Sequence, residues 1–244
     1  MSRLKMLLAM LQICRLLPSI ASSCPTSGRD EYRLLYRPSG IEIFLEPAHV
    51  TKTYPAHQYE QAKQQAGTVY EVLRCTCSLV FGPRGSSVKP STLAEVLCAT
   101  RDILEALVKL HSISWMHRDI RWSNVVKICG NNSESWFLID FMDAAESPQD
   151  AESAKHLSRS IHAPEMFTDP THTTAVDIWS VGRLLKSVGD IWGDSGDRDA
   201  FVRELMHELP TQRPTAKKAL ARLKELGQQY IGTWSDEPEA SKEM

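Results

Sequence analysis

The chain predicts an α+β fold in two unequal parts, a small strand-rich part followed by a larger helical one. Three observations predict it. Short runs with β character precede residue 82. Apolar residues recur at helical spacing after residue 92. The turn-rich stretch Gly82-Pro83-Arg84-Gly85 separates the two regimes. A chain of 244 residues is long enough to build one such two-part domain around a core of its own.

The elements follow in order. Met1–Lys5 is basic and Met6–Cys14 mostly apolar, an arrangement that imitates a secretory signal with Ala21-Ser22-Ser23 near a cleavage site. Gln12 and Arg15 interrupt the apolar run, and Leu4, Leu7, Leu8 and Leu11 recur at helical spacing, so an amphipathic helix packed on the domain is expected instead. Residues 18–30, rich in Ser, Pro and Gly, read as a connector. Strands are expected at Tyr32–Tyr36, at Ile41–Leu45 after the turn Pro38-Ser39-Gly40, and at His49–Tyr54. Residues 56–66 are helix-like, and Val69–Arg74 and Thr76–Phe81 suit two more strands.

Beyond the break, Leu93, Val96, Leu97, Ile103, Leu104, Leu107 and Leu110 mark one long amphipathic helix ending near His111. Strands at Asn124–Ile128 and Trp136–Ile139 flank the turn Gly130-Asn131-Asn132, and a loop runs from Phe141 to Ala163. Helices are expected at about 175–188, 198–209 and 215–229, the last opened by Pro214-Thr215. The expected domain plan is an N-terminal helix and connector (1–28), a strand-rich lobe with a hinge (29–85), a helical lobe (86–232) and a charged tail (233–244).

Composition narrows the function. Apolar residues make up 42% and charged residues 24%, with a formal net charge of −2, so no global basic field argues for nucleic acid or an anionic membrane. No stretch reaches the ~20 apolar residues of a membrane span. The six cysteines lack paired C-x2-C spacing, and only Cys75 and Cys77 lie close together. They read as thiols of a reducing compartment rather than a zinc or disulfide framework. The expected location is intracellular, cytoplasmic or nuclear, with secretion the alternative that the signal-like start would imply.

One segment carries chemistry. His117-Arg118-Asp119-Ile120-Arg121-Trp122-Ser123-Asn124 is followed sixteen residues later by Asp140-Phe141-Met142. Phosphoryl transfer needs a carboxylate to orient the attacking hydroxyl, oxygen ligands for a magnesium ion, and a cation near the phosphates. Asp119, Asn124, Asp140 and Arg121 supply these groups. Read singly, each acid would be a solvated turn residue or cap.

In that order and spacing the segment resembles the H-R-D-L-x-x-x-N and D-F-G elements of the eukaryotic protein kinase superfamily. Ala163-Pro164-Glu165 is similar to its A-P-E element, Asp177-Ile178-Trp179-Ser180-Val181-Gly182 to its D-x-W-S-x-G helix start, and Arg213 to its late arginine that pairs with the A-P-E glutamate. The broad resemblance covers about residues 40–228. HRDIRWSN and the stretch Pro83–Pro90 look most like the divergent fungal-type and crinkler-effector kinase-like domains. The resemblance implies a bilobal protein-kinase-like fold binding ATP and Mg2+. It implies Asp119, Arg121 and Asn124 as catalytic residues and Asn124 and Asp140 as metal ligands. His117 is then a packing residue against Phe141, and Arg118 a partner for a phosphorylated serine among Ser153, Ser158 and Ser160. Glu165 and Arg213 form a structural ion pair, and Trp122 packs.

The strand-rich lobe departs from the family pattern. It has no G-x-G-x-x-G, and Met142 replaces the glycine of D-F-G. Lys52 is the strand lysine expected to meet the phosphates, with Glu60 or else Glu71 as its partner. Val80, Phe81 and Gly82 are expected to form the hinge against adenine.

The function expected is an ATP-dependent kinase acting on Ser/Thr of a protein substrate. The alternatives are a pseudokinase that binds nucleotide or partners without turnover and, last, a small-molecule phosphotransferase, whose usual lack of A-P-E and D-x-W elements argues against it. Oligomeric state and substrate identity are not written in the sequence.

Overall fold

A computed structural model describes residues 33–36, 42–45, 50–55, 78–81, 85–128, 135–154, 157–193 and 195–231. The fold is α+β. Four strands, β1 (Arg33–Tyr36), β2 (Glu42–Leu45), β3 (Val50–Thr53) and β4 (Ser78–Phe81), form an antiparallel sheet in sequence order. Its register pairs Lys52 with Ile43 on one side and Leu79 on the other. Each strand lies within the stretch expected for it. The expected helix at 56–66, the expected strand Val69–Arg74 and the N-terminal helix lie outside the described residues.

The helical part is organised on α1 (Leu93–Ser112). Its start is fixed by side chains. Thr92 Oγ1 accepts from Glu95 N, and Glu95 Oε2 accepts from Ser91 N at 2.8 Å, a reciprocal cap of the first turn. Glu95 also meets Lys127 Nζ at 2.7 Å. That hydrogen bond first, and the Ser91 amide second, hold its carboxyl down at about 2. The apolar stripe expected from spacing is the buried face: Leu97, Ile103, Leu104, Leu107 and Leu110 are all essentially inaccessible. Each such side chain contributes roughly 1.5–3 kcal/mol relative to exposure.

Behind α1, β5 (Gly85–Ser86) pairs with β7 (Val125–Ile128), which pairs with β8 (Trp136–Leu138). A Cβ on Gly85 would stand 2.7 Å from Val126 Cγ2, so only glycine lets β5 approach. β6 (Trp115–Met116) pairs with β9 (Ala145–Glu146). β10 (Gln149–Asp150) pairs with β11 (Thr171–His172) on either side of α2 (Glu165–Thr168). The expected loop from Phe141 to Ala163 is therefore a folded segment of short pairings and 3-10 turns. Pairings of two residues carry no periodicity that a sequence reading can detect.

Helices α3 (Ala175–Lys186), α4 (Gly189–Trp192), α5 (Gly196–Leu205) and α6 (Ala216–Ile231) complete the core. Helix α5 stops at Leu205, short of the expected 209. Pro210 opens a 3-10 turn at Pro210–Gln212, and a proline disfavours helix in the residue before it. Gly182 explains the last letter of its motif, since a Cβ there would stand 3.0 Å from Leu205 Cβ and prevent α3 from meeting the end of α5. Among the described residues, no helix is long and apolar enough to cross a membrane.

One buried acid makes stability depend on pH. Asp102, on α1, accepts from Trp136 N at 2.8 Å and from Arg101 Nε at 2.8 Å. Burial nevertheless raises its pKa from 3.8 to about 6, against the opposing pull of Arg101 and the Trp136 amide. The native state thus holds a proton over a range where the unfolded chain has lost it. The contribution of Asp102 is fully present below pH ~4 and is lost as pH rises to about 6, on the order of 2–3 kcal/mol. Chemical denaturation across this window is expected to show a wild-type stability that declines relative to Asp102→Asn. Parallel curves for the two proteins would contradict this assignment.

Candidate active site

The site is built where the residues after β6 cross those after β8. His117 and Arg118 are fixed by one buried acid at the start of α3. Asp177, fully buried, accepts from His117 N and Arg118 N at 2.8 Å each and lies 2.9 Å from His111 Nε2. Burial alone would raise the Asp177 pKa, but the contacts with His111 and His117 outweigh it and keep the carboxyl below its ordinary value. This clamp sustains a left-handed backbone at Arg118, φ 67°, which a non-glycine residue adopts only when its surroundings impose it. His117 is inaccessible to solvent. Its ring lies 4.6 Å from that of Phe141, and its Nε2 is 3.2 Å from the Ile139 carbonyl oxygen.

Asp119 and Asn124 come together directly. Asn124 Nδ2 donates to both the backbone oxygen and Oδ2 of Asp119, at 2.8 Å each. Arg121 Nε donates to the same Oδ2 at 3.1 Å and its Nη2 makes an ion-pair contact there, also at 3.1 Å, with the side chain half exposed. His162 Nε2 lies 3.1 Å from Oδ1. Burial works against ionisation of Asp119, but the His162 bond, the charge of Arg121 and the Asn124 amide prevail, and its carboxyl sits below the ordinary range.

Ile139 N donates to Asn124 O at 2.9 Å, which brings Asp140 beside Asn124. Asp140 has a left-handed backbone, φ 66°, ahead of the 3-10 turn Phe141–Asp143 that contains Met142. From the strand-rich part, the buried Tyr54 approaches Asp140. Burial first, and the charge of Asp140 second, push the tyrosine pKa up to about 12.

The donor set fits a hard cation. With its nitrogen committed to Asp119, Asn124 has its amide oxygen as an acceptor, and oxygens of the kind that Asn124 and Asp140 carry suit Mg2+. The residues expected at the nucleotide divide in two. Lys52 stands in β3, and Val80 and Phe81 in β4, at the positions given by the sheet register. Glu60, Glu71 and Gly82 lie outside the described residues.

The surrounding segment is tied to the same loop. Arg118 donates to Asp143 O at 2.5 Å and to Ser153 Oγ at 2.7 Å. Of the three serines expected to meet Arg118, Ser153 is the one in contact with it, whereas Ser158 and Ser160 bond each other at 2.8 Å. Glu165 and Arg213 form a buried two-pronged pair. Arg213 also donates to the carbonyls of His207 and Ala175. Trp122 is buried against α3, its Nε1 3.0 Å from Ser187 Oγ. Sequence reasoning did not single out His162 or Tyr54 at this site, nor His172, whose Nε2 lies 3.5 Å from Arg118 Nη1. Each stands far along the chain from its partner, and a lone His or Tyr in an unremarkable context carries no signal.

A protein kinase domain family matches residues 64–191, just over half of the chain. The chain is 39% identical over 237 residues to Crinkler effector protein 8 of Phytophthora infestans, across 89% of this chain and 39% of that protein. It is 27% identical over 150 residues to the calcium/calmodulin-dependent protein kinase cmkA of Emericella nidulans, across 49% of this chain and 36% of that one. It is 28% identical over 163 residues to the glycogen synthase kinase-3 homolog YGK3 of Saccharomyces cerevisiae, across 64% and 41%. The chain therefore spans about two fifths of the length of the curated relatives it matches.

Proposed function

Because the chain belongs to the protein kinase family, we propose that it transfers the γ-phosphoryl group of ATP, with Mg2+, to Ser/Thr hydroxyls of a protein substrate. The observation that supports this reading is that Asn124 donates to Asp119 through its side-chain nitrogen and accepts from Ile139, the chain neighbour of Asp140, through its backbone oxygen. Asp119 orients the hydroxyl and accepts its proton late. A carboxylate held below the ordinary range is a weak base, so orientation is its larger task. Asn124 and Asp140 hold Mg2+, which offsets phosphate charge when bound. Lys52 fixes the α and β phosphates. Arg121, half exposed beside Asp119, swings to the γ-phosphate.

A second reading is a pseudokinase that binds nucleotide or partners without turnover. It is favoured by the protein contacts that Asp119 makes through both oxygens and by Met142 in place of glycine. Incorporation of labelled phosphate from ATP and Mg2+ separates the two. Incorporation by the wild-type chain that Asp140→Asn removes is the expected result. ATP binding with no incorporation by wild type would establish the second reading.

A further inference from the structure

Asp119 is approached from an element that the chemistry above does not use. His162 lies in the turn before α2 and is 5% exposed. Its Nδ1 is 2.8 Å from the Ser158 carbonyl oxygen, and its Nε2 is 3.1 Å from Asp119 Oδ1. A carbonyl oxygen only accepts, so Nδ1 carries a hydrogen. A neutral ring has a single N–H, and its Nε2 would then turn a lone pair toward an ionised carboxylate, which also only accepts. Both contacts are satisfied together when the ring is protonated on both nitrogens, with one hydrogen lying between Nε2 and Oδ1.

The division of donors over Asp119 gives this contact a consequence. Oδ2 accepts from Arg121 Nε and Asn124 Nδ2 and pairs with the Arg121 Nη2 charge, whereas among the described residues Oδ1 meets His162 alone. A carboxylate oxygen has two lone pairs, so Oδ1 is the one with room for an incoming hydroxyl. The direction of that remaining lone pair is set by the histidine.

We propose that His162 is a positioning residue for phosphoryl transfer, its imidazolium clamping Oδ1 of Asp119 so that the acceptor hydroxyl meets the oxygen's other lone pair. The proposal rests on the kinase reading above. Among the described residues, Asp119 faces the ring from the loop after β6, with Arg121 on its far oxygen. On its own segment, Glu165 is bound to Arg213 instead. Loss of the donor to Oδ1 leaves that oxygen's lone pairs without a fixed direction, so the transfer rate depends on the donor at position 162.

The test compares wild type with His162→Gln, whose side-chain amide can donate to Oδ1, and with His162→Ala. Transfer from ATP and Mg2+ to a Ser/Thr peptide is measured for all three. The glutamine variant is expected to keep kcat within a few-fold of wild type. The alanine variant is expected to lose on the order of 10²-fold in kcat with little change in KM for ATP, as a small misplacement of a reacting group does. A glutamine variant as slow as the alanine variant, or an alanine variant as fast as wild type, would overturn the proposal. Nitrogen NMR of the histidine rings reads the clamp without turnover. A doubly protonated ring in wild type at neutral pH, absent from His162→Gln and lost in Asp119→Asn, supports it. No such ring in an active wild-type enzyme overturns the clamp alone. A clamped ring in a wild-type chain without transfer overturns the kinase reading, and the positioning role with it.

Discussion

Replacing Asp119 by alanine is expected to lower phosphoryl transfer by ~10²–10⁴-fold, the usual contribution of a positioned acid or base. The loss is expected to fall on kcat, because in the proposed reaction Asp119 meets the attacking hydroxyl and not the nucleotide, so KM for ATP is expected to stay within a few-fold. Removing the carboxylate also leaves Arg121, Asn124 and His162 without their shared acceptor. Asp119→Asn controls for this disturbance. It keeps the volume and one oxygen, so a comparable loss in the asparagine variant assigns the effect to chemistry rather than to collapse of the loop. Steady-state transfer to a Ser/Thr peptide, with melting of all three proteins, checks it. Equal rates for wild type and both variants would remove Asp119 from the reaction.

The largest effect on stability is expected at Arg213. Its guanidinium is buried, spans both oxygens of Glu165 and reaches the carbonyls of His207 and Ala175, so it joins α2, α3 and the turn before α6. Arg213→Ala leaves Glu165, 4% exposed, as a buried charge without its partner. The expected cost is roughly 3–5 kcal/mol, larger than the net worth of the pair, because desolvation of the remaining acid is no longer offset. Replacing both residues by apolar side chains of similar volume is expected to cost less than Arg213→Ala alone. Urea unfolding of the single and double variants measures this difference. A double variant that is less stable than the single one would show that the pair contributes net stability.

Much of this was legible in the sequence, and the reasons are particular. The stripe from Leu93 to Leu110 has the helical period, and it is the buried face of α1. Asp119 and Asn124 were legible as a pair because five residues and one short turn connect them, so spacing alone fixes their proximity. Glu165 and Arg213 were legible through the family pattern, although 48 residues separate them. The segment after Asp140 was expected as open loop because its pairings are only two residues long. His162 was missed because its partner lies 43 residues away and a histidine before Ala163-Pro164-Glu165 has no local signature. The clamp of Asp177 on the amides of His117 and Arg118 uses the backbone of its partners, which no side-chain pattern reports.

Binding of manganese, as a stand-in for magnesium, tests the account at its centre. Electron paramagnetic resonance of Mn2+ titrated into the chain with ATP is expected to show one tightly bound ion in wild type that requires ATP. That signal is expected to be lost in Asp140→Ala and weakened in Asn124→Ala. Binding of the Mn2+–ATP pair that is unchanged by both substitutions would contradict the assignment of residues 124 and 140 to the cation.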